Sequence, residues 1–171
     1  MTRFLTALVA ILAAAVSHGA TLPDNLRVPA GFKVEVLAKV PGARSMALGD
    51  RGTLFVSTQR GGGNVYAVRD AFGPAPRVET VATGLKMPNG IAFREGALYI
   101  AEPQRILRIA GAESPAPAAP ETVVADLPYK GMLHSWKYLG FGPDGKLYVP
   151  VGAPCNVCDE PGFAAILLLP A

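Results

Sequence analysis

The chain contains an internal repeat in which two short apolar segments flank a polar turn. The repeat occupies residues 45–57, 90–101 and 134–152, with the turns Asp-Arg-Gly, Arg-Glu-Gly and Asp-Gly-Lys. Such turns permit a tight reversal, and the Leu-Phe-Val, Leu-Tyr-Ile and Leu-Tyr-Val runs after them contain the β-branched and aromatic residues of buried strands. Each copy therefore predicts a β-hairpin.

The spacing of the hairpins predicts the blades of a β-propeller. The leucines that follow the three turns are 44 and 49 residues apart, within the roughly 40 to 50 residues of one blade. Further segments alternate apolar and polar residues, as outer strands of half-buried sheets do, at residues 64–69, 77–82, 105–110 and 121–126. The sequence therefore predicts an all-β chain with about three blades.

Two segments depart from the repeat. Residues 111–120 are rich in proline and lack apolar bulk, which predicts a surface loop between blades. A domain linker is the alternative, although the repeat resumes in register after the segment. Residues 163–171 begin like the outer strand of the third blade and then lose their polar alternation, which predicts an exposed apolar edge.

The first 20 residues have the pattern of a signal peptide. Arg3 precedes an apolar run over residues 4–16, and small residues follow it. A membrane anchor is the alternative, but the run is shorter than the roughly 20 residues that a spanning helix needs. We expect a periplasmic or secreted protein, without membrane association after cleavage, whose residues 21–171 form one partial propeller.

Charge and composition exclude little beyond nucleic acid as a partner. The formal net charge is +3 and becomes +2 when Arg3 is removed with the signal peptide, and the chain contains no basic run. Half of the residues are apolar and 17% are charged, which fits a chain with a globular core.

The two cysteines, Cys155 and Cys158, allow several interpretations. A covalent haem site needs histidine at position 159, which is aspartate, and a zinc site needs two further ligands. A thioredoxin-type pair belongs in a βαβ unit, which this strand pattern does not provide. In an exported protein a structural disulfide is expected, and free thiols are the alternative because so small a ring stabilises little.

His134 is the candidate catalytic residue. It is the only histidine after the signal peptide, and it immediately precedes the third hairpin, beside Trp136 and Lys137. Loops that lead into the inner strands of a propeller surround its central channel, where ligands bind. An imidazole there is suited to general-base proton abstraction, whereas a structural histidine is the alternative.

Four motifs extend the interpretation to a family. Residues 22–36, residues 84–93, the His134-Ser-Trp-Lys motif and the Gly152-Ala-Pro-Cys-Asn-Val-Cys motif resemble soluble pyrroloquinoline-quinone (PQQ)-dependent sugar dehydrogenases. The resemblance to their sorbosone-dehydrogenase-like branch is close and covers nearly all of residues 21–171.

The resemblance implies a six-bladed propeller that binds PQQ and calcium in its central channel. Such an enzyme oxidises an alcohol or hemiacetal carbon of a sugar by hydride transfer to the quinone and passes electrons to an external acceptor. It implies that His134 is the general base, with Asn89, Trp136 and Lys137 as candidates for cofactor contact. None of the residues in this chain is assigned to a metal.

The sequence departs from the glucose-oxidising relatives at two places. Where they have an aspartate that supports the base, this chain has Ala153, and Asp159 could replace it only if the cysteine loop folds back. Where they have an amide that contacts the quinone, the closest match is Pro88. Asn89 lies beside it, and its alternative role is a turn-forming Asn-Gly pair.

Three repeats are fewer than the four to eight blades of a closed propeller. The family's cationic residues that grip the quinone carboxylates, and most of its calcium site, belong to later segments. We therefore expect an N-terminal portion of such a protein, or the product of a premature stop or frameshift, that has no dehydrogenase activity on its own.

Two other functions fit the repeats. One is a non-catalytic exported propeller that binds a sugar or a partner protein, which would have no need for the run from His134 to Cys158. The other is a calcium-dependent lactonase-type propeller, whose site needs carboxylates facing the channel. Glu102 is the one suggestive carboxylate in the inner-strand loops.

Overall fold

The structure is a computed structural model that describes residues 25–131 and 133–170. The predicted signal peptide lies outside the described residues. The chain divides into two compact units, Met1–Val36 and Leu37–Ala171.

The described part of the first unit is irregular. A hydrogen bond from the backbone N–H of Phe32 to the carbonyl oxygen of Pro29 closes a turn at 3.1 Å. Lys33 and Glu35 form an ion pair between exposed side chains, which contributes little to stability because water screens it.

The second unit contains three antiparallel sheets, each built from strands that are consecutive in the chain. The first sheet comprises β1 (Met46–Leu48), β2 (Leu54–Ser57), β3 (Gly61–Arg69) and β4 (Arg77–Lys86). The second comprises β5 (Ile91–Arg94), β6 (Ala97–Ala101), β7 (Ile106–Ile109) and β8 (Glu121–Val124). The third comprises β9 (Gly140–Phe141), β10 (Leu147–Val151) and β11 (Ala165–Leu169).

All three predicted hairpins are present. The turns of the first two sheets place Leu48 opposite Leu54 and Phe93 opposite Leu98, and the turn of the third places Phe141 opposite Leu147. The described residues contain no helix, so the all-β prediction is confirmed. Within the same residues, no helix is long and apolar enough to cross a membrane.

The first two sheets pack face to face through aromatic and aliphatic side chains. Phe55 on β2 is fully buried and stacks on Phe93 of β5, with ring centroids 5.5 Å apart. Leu98 and Ile100 on β6 belong to the same core cluster. Burial of these apolar surfaces is the main force that joins the first two blades.

A second core joins the second and third sheets. Tyr99 on β6 meets Phe141 on β9 edge to face, with centroids 5.0 Å apart. Ile106, Leu147 and Val149 are buried in the same cluster. The three sheets therefore pack in sequence order, as consecutive blades of a propeller do.

The prediction that residues 111–120 connect two blades is wrong. They join β7 to β8, which pair in one sheet, so the segment is a loop within the second blade. The carboxylate of Glu113 in this loop accepts hydrogen bonds from the backbone N–H groups of Arg51 and Thr53 at 3.0 to 3.2 Å. The proline-rich loop thus fastens the second blade to the first turn of the neighbouring blade.

The last described strand has the predicted apolar edge. β11 pairs with β10 in antiparallel register, with Ile166 opposite Pro150 and Leu168 opposite Tyr148. Ile166 is 70% exposed. Its exposure follows from the loss of polar alternation in the sequence, because every second side chain of a strand faces the same side.

Candidate functional site

All predicted site residues lie at one end of the three sheets. Antiparallel strands reverse direction at each turn, so the loop before the first strand of a sheet and the loop between its second and third strands lie at the same end. We call these the top loops; their described residues are 42–45, 58–60, 87–90, 102–105, 125–131, 133–139 and 152–164.

A chain of buried hydrogen bonds joins the top ends of the three blades. The hydroxyl of Ser57, at the end of β2, donates to the carbonyl oxygen of Asn89 at 2.5 Å. The side-chain amide of Asn89 donates to the carbonyl oxygen of Lys137 at 3.2 Å. The structure therefore brings together Asn89 and Lys137, which the sequence placed in different blades, and adds Ser57.

Gly90 permits this close approach. A Cβ atom at Gly90 would clash with the carbonyl oxygen of Lys137 and would lie 2.5 Å from the Cα of Tyr138. Backbone atoms of a packed neighbouring blade cannot give way as a flexible side chain can. Glycine is therefore required at position 90 for steric reasons.

Asn89 forms a turn and also joins two blades through its side-chain hydrogen bond. Its backbone N–H does close a tight turn onto the carbonyl oxygen of Met87 at 2.8 Å. Its side chain is fully buried, and within the described chain its Oδ1 has no hydrogen-bond partner. An acceptor buried in this way costs free energy unless another donor reaches it.

Lys137 is buried, with 2% of its surface exposed. Its ammonium donates to the carbonyl oxygens of Pro128 at 3.1 Å and Ser135 at 3.4 Å. Removal from water disfavours the charged form and lowers the pKa of Lys137 below its usual range. The side chain thus links Pro128, early in the loop that carries His134, to Ser135, directly after His134.

His134 is exposed and has a left-handed backbone conformation, with φ of 51°. This conformation costs a residue with a Cβ about 1 to 2 kcal/mol. A Cβ atom at Gly152 would clash with the carbonyl oxygen of His134 and lie 2.8 Å from its Cβ. Gly152 therefore leaves the space that His134 occupies.

The imidazole of His134 is oriented by the backbone of Ala153. Its Nδ1 lies 3.0 Å from the carbonyl oxygen of Ala153. A carbonyl oxygen only accepts hydrogen bonds, so Nδ1 carries the hydrogen and Nε2 of the neutral ring has a free lone pair. The support expected of an aspartate at this position is supplied here by a main-chain oxygen, and Asp159 is exposed.

Trp136, between the buried Ser135 and Lys137, is 41% exposed. Its alternation with these neighbours turns the indole away from the packed interior. It is the aromatic side chain closest in sequence to His134 and offers a ring face for stacking.

Glu102 is buried, and its carboxylate is already occupied. It accepts a hydrogen bond from the backbone N–H of Lys86 at 2.6 Å and forms an ion pair with Arg105. The hydrogen bond to Glu102 raises the pKa of the Arg105 guanidinium. Glu102 therefore ties β4 to the loop between β6 and β7.

Cys155 and Cys158 are joined in a disulfide. The bond closes a small ring within the loop between β10 and β11, and Val157 inside that ring is 97% exposed. Lys130 reaches this loop from the preceding top loop, and its ammonium lies 2.8 Å from the carboxylate of Glu160. The expected structural disulfide is therefore present, and the alternative of free thiols is wrong.

Two arginines that the sequence analysis did not single out line a pocket in the top loops of the first blade. Arg44, Thr58, Gln59 and Arg60 surround a volume of about 250 Å³. Arg44 and Arg60 are exposed, and neither forms an ion pair with any acidic residue that the structure describes. Unpaired guanidinium groups favour an anionic ligand.

No group of three or more histidine, cysteine, aspartate or glutamate side chains suited to a metal ion occurs within residues 25–131 and 133–170. Ser57 and the arginines were missed because a small polar residue at a strand end and single arginines in loops have no distinctive sequence spacing. Their positions relative to the repeat, at the top end of the first hairpin, are the signal that could have identified them.

No protein-family model matches the chain, and no curated protein gives a significant match. Solved structures of other proteins are similar to it. One is the PQQ-bound form of an aldose sugar dehydrogenase from Streptomyces coelicolor, with a TM-score of 0.55 and 20% identity, over 76% of this chain and 45% of that one.

Another is a protein from Thermus thermophilus described as an oxidoreductase (glucose dehydrogenase). It has a TM-score of 0.52 and 20% identity, over 64% of this chain and 37% of that one. This chain therefore spans less than half the length of either structure. The likeness confirms the predicted fold: the second unit is three blades of a β-propeller.

Proposed function

We propose that the chain is part of an exported PQQ-dependent oxidoreductase that oxidises an alcohol or hemiacetal carbon of a sugar, of the sorbosone-dehydrogenase-like branch. The observation that carries the proposal is the oriented imidazole of His134, exposed on the top loops of a fold shared with a PQQ-bound aldose sugar dehydrogenase. A small-molecule sugar is the proposed substrate, and an external acceptor receives the electrons.

The proposed role of His134 is to remove the proton of the substrate hydroxyl. Its Nδ1–H is held by the Ala153 carbonyl oxygen, so Nε2 is the atom that accepts the proton. The carbonyl oxygen also stabilises the imidazolium that forms, because Nδ1 keeps its hydrogen-bond acceptor when the ring becomes charged. PQQ, when bound, would supply the hydride acceptor for the carbon that carries this hydroxyl.

The described residues fit a planar, anionic quinone in two respects. Trp136 offers an exposed aromatic face. Arg44 and Arg60 supply positive charge in the top loops for carboxylates. We propose that Trp136 contacts the quinone directly and that the buried Asn89 and Lys137 hold the loops around it.

Calcium does not fit the described residues in the same way. Glu102, the carboxylate that the sequence singled out, is occupied by Arg105 and the Lys86 backbone. The described part of the chain contains no cluster of acidic ligands. We propose calcium as a partner of the quinone from the family resemblance alone, and no step in the mechanism depends on it.

We further propose that this polypeptide by itself does not turn over sugars. Its three blades supply a base and part of a quinone surface, whereas a channel closed on all sides requires at least four blades. A base without an enclosed cofactor lacks the positioning that makes hydride transfer fast.

Titration with PQQ, with and without calcium, tests the proposal. We expect saturable changes in the quinone absorbance and an upward shift of the melting temperature, since a ligand that binds only the folded chain stabilises it. His134→Ala should weaken binding, and Lys146→Ala, a change in a turn at the opposite end of the blades, should not. No turnover of glucose or other aldoses is expected with the wild type or with either variant.

Four outcomes would overturn parts of the proposal. Absence of saturable binding by the folded chain would contradict the quinone site. Equal binding by wild type and His134→Ala would remove His134 from it. Binding of a sugar without PQQ would favour the non-catalytic binding propeller, and turnover by the isolated chain would contradict the proposed inactivity.

A further inference from the structure

The loop between β8 and β9 carries the proposed base, and it contains a buried cation without an acidic partner. In the part of the chain that the structure describes, Lys137 forms no ion pair, and its two hydrogen-bond acceptors are backbone oxygens. Burying an ammonium is costly, and an apolar side chain of similar length would avoid that cost. Packing alone therefore does not account for lysine at this position.

The acceptors of Lys137 show what its side chain does. One is the carbonyl oxygen of Pro128, early in the loop, and the other is that of Ser135, the residue directly after His134. The ammonium thus bridges the loop across the position of His134. The backbone conformation of His134 is strained, and such a conformation persists only where the surroundings fix it.

The backbone of Lys137 is also held from the other side. Its carbonyl oxygen accepts the hydrogen bond from the Asn89 side chain, and the Asn89 carbonyl oxygen accepts that of Ser57. All three residues are buried. The loop of the third blade is therefore fixed relative to the first two blades by polar groups that have few alternative partners.

We propose that Lys137 is the positioning residue for His134: its buried ammonium fixes the loop so that the imidazole donates from Nδ1 to the Ala153 carbonyl oxygen and presents Nε2 as the base. This inference rests on the proposed function only in assigning Nε2 the role of the base. The arrangement itself concerns the ring orientation and tautomer of His134, which are measurable without any quinone.

The test is long-range proton–nitrogen NMR of ¹⁵N-histidine-labelled protein, recorded at about pH 8.5 so that the two neutral tautomers are compared. The resonances of His134 are assigned from their loss in His134→Ala. In the wild type we expect the Nδ1–H tautomer to predominate. In Lys137→Met we expect the ratio of Nδ1–H to Nε2–H tautomers to fall by about fivefold, the loss expected for about one hydrogen bond.

Lys130→Met is the matched control. Lys130 lies in the same loop, but its side chain is 64% exposed and its ammonium donates to the carboxylate of Glu160. We expect the tautomer ratio of His134 in Lys130→Met to equal that in the wild type. Lys137→Gln keeps a hydrogen-bond donor on a shorter side chain and should give an intermediate tautomer ratio. It serves as the second variant if Lys137→Met does not fold.

An unchanged tautomer ratio in folded Lys137→Met, or in Lys137→Gln where only that variant folds, would overturn the inference. So would an Nε2–H tautomer in the wild type. The two proposals fail separately. If Lys137→Met shows the tautomer shift and the wild type binds no quinone, Lys137 is still the positioning residue and the proposed function is wrong. If the wild type binds quinone and Lys137→Met shows no shift, the proposed function stands and the role of Lys137 is wrong.

Discussion

Replacement of Gly90 by alanine is expected to destabilise the second unit by about 3 kcal/mol, at the upper end of the usual cost of overpacking. The added Cβ would collide with the Lys137 carbonyl oxygen and would lie 2.5 Å from the Tyr138 Cα. Neither atom belongs to a flexible side chain, so the second and third blades must separate. Urea unfolding followed by circular dichroism measures the change.

Gly140→Ala is the control for this substitution. Gly140 is the first residue of the inner strand β9, but a Cβ atom there would meet nothing within 4 Å. We expect its free energy of unfolding to stay within about 0.5 kcal/mol of the wild type. If Gly90→Ala were as stable as Gly140→Ala, the close packing between Gly90 and the third blade would be wrong.

Truncation of Phe55 to alanine is expected to cost about 3 to 5 kcal/mol, the usual range for a buried aromatic residue. Phe55 has no exposed surface and stacks on Phe93 across the first two blades. Its removal leaves a cavity between two sheets whose backbones are fixed by their own hydrogen bonds, so the core cannot collapse to fill it. The same urea unfolding experiment reports this loss.

Phe72→Ala provides the comparison, because the Phe72 side chain is 72% exposed in the turn between β3 and β4. Its truncation should change the free energy of unfolding by no more than about 0.5 kcal/mol. Similar losses for the two variants would mean that the first two sheets do not pack through Phe55.

The strands could be predicted from the sequence because their signals are local. The turn residues and the β-branched and aromatic runs fix each hairpin within about a dozen residues, and Leu54, Leu98 and Leu147 then mark the same position in three blades. The assignment of residues 111–120 was wrong because proline content indicates a loop but does not indicate which strands the loop connects.

The site could be predicted only in part. The repeat sets the place of His134 before an inner strand, and the structure has it there, whereas its catalytic role stays a prediction. The connection from Ser57 through Asn89 to Lys137 joins residues that are 32 and 48 positions apart, and no local pattern relates them. The Ala153 carbonyl oxygen could not have been assigned from sequence either, because every residue carries such an oxygen and only the backbone path decides which one meets an imidazole.

The rate at which diethyl pyrocarbonate modifies His134, followed by peptide mass spectrometry with and without PQQ, tests the central claim most directly. The exposed imidazole with a free Nε2 should react readily without quinone. The rate should fall in proportion to the fraction of chain that is bound, while modification of Lys146 at the opposite end stays unchanged. An unchanged His134 rate at a quinone concentration that saturates the absorbance signal would show that the quinone does not bind against His134, and would contradict the proposed site.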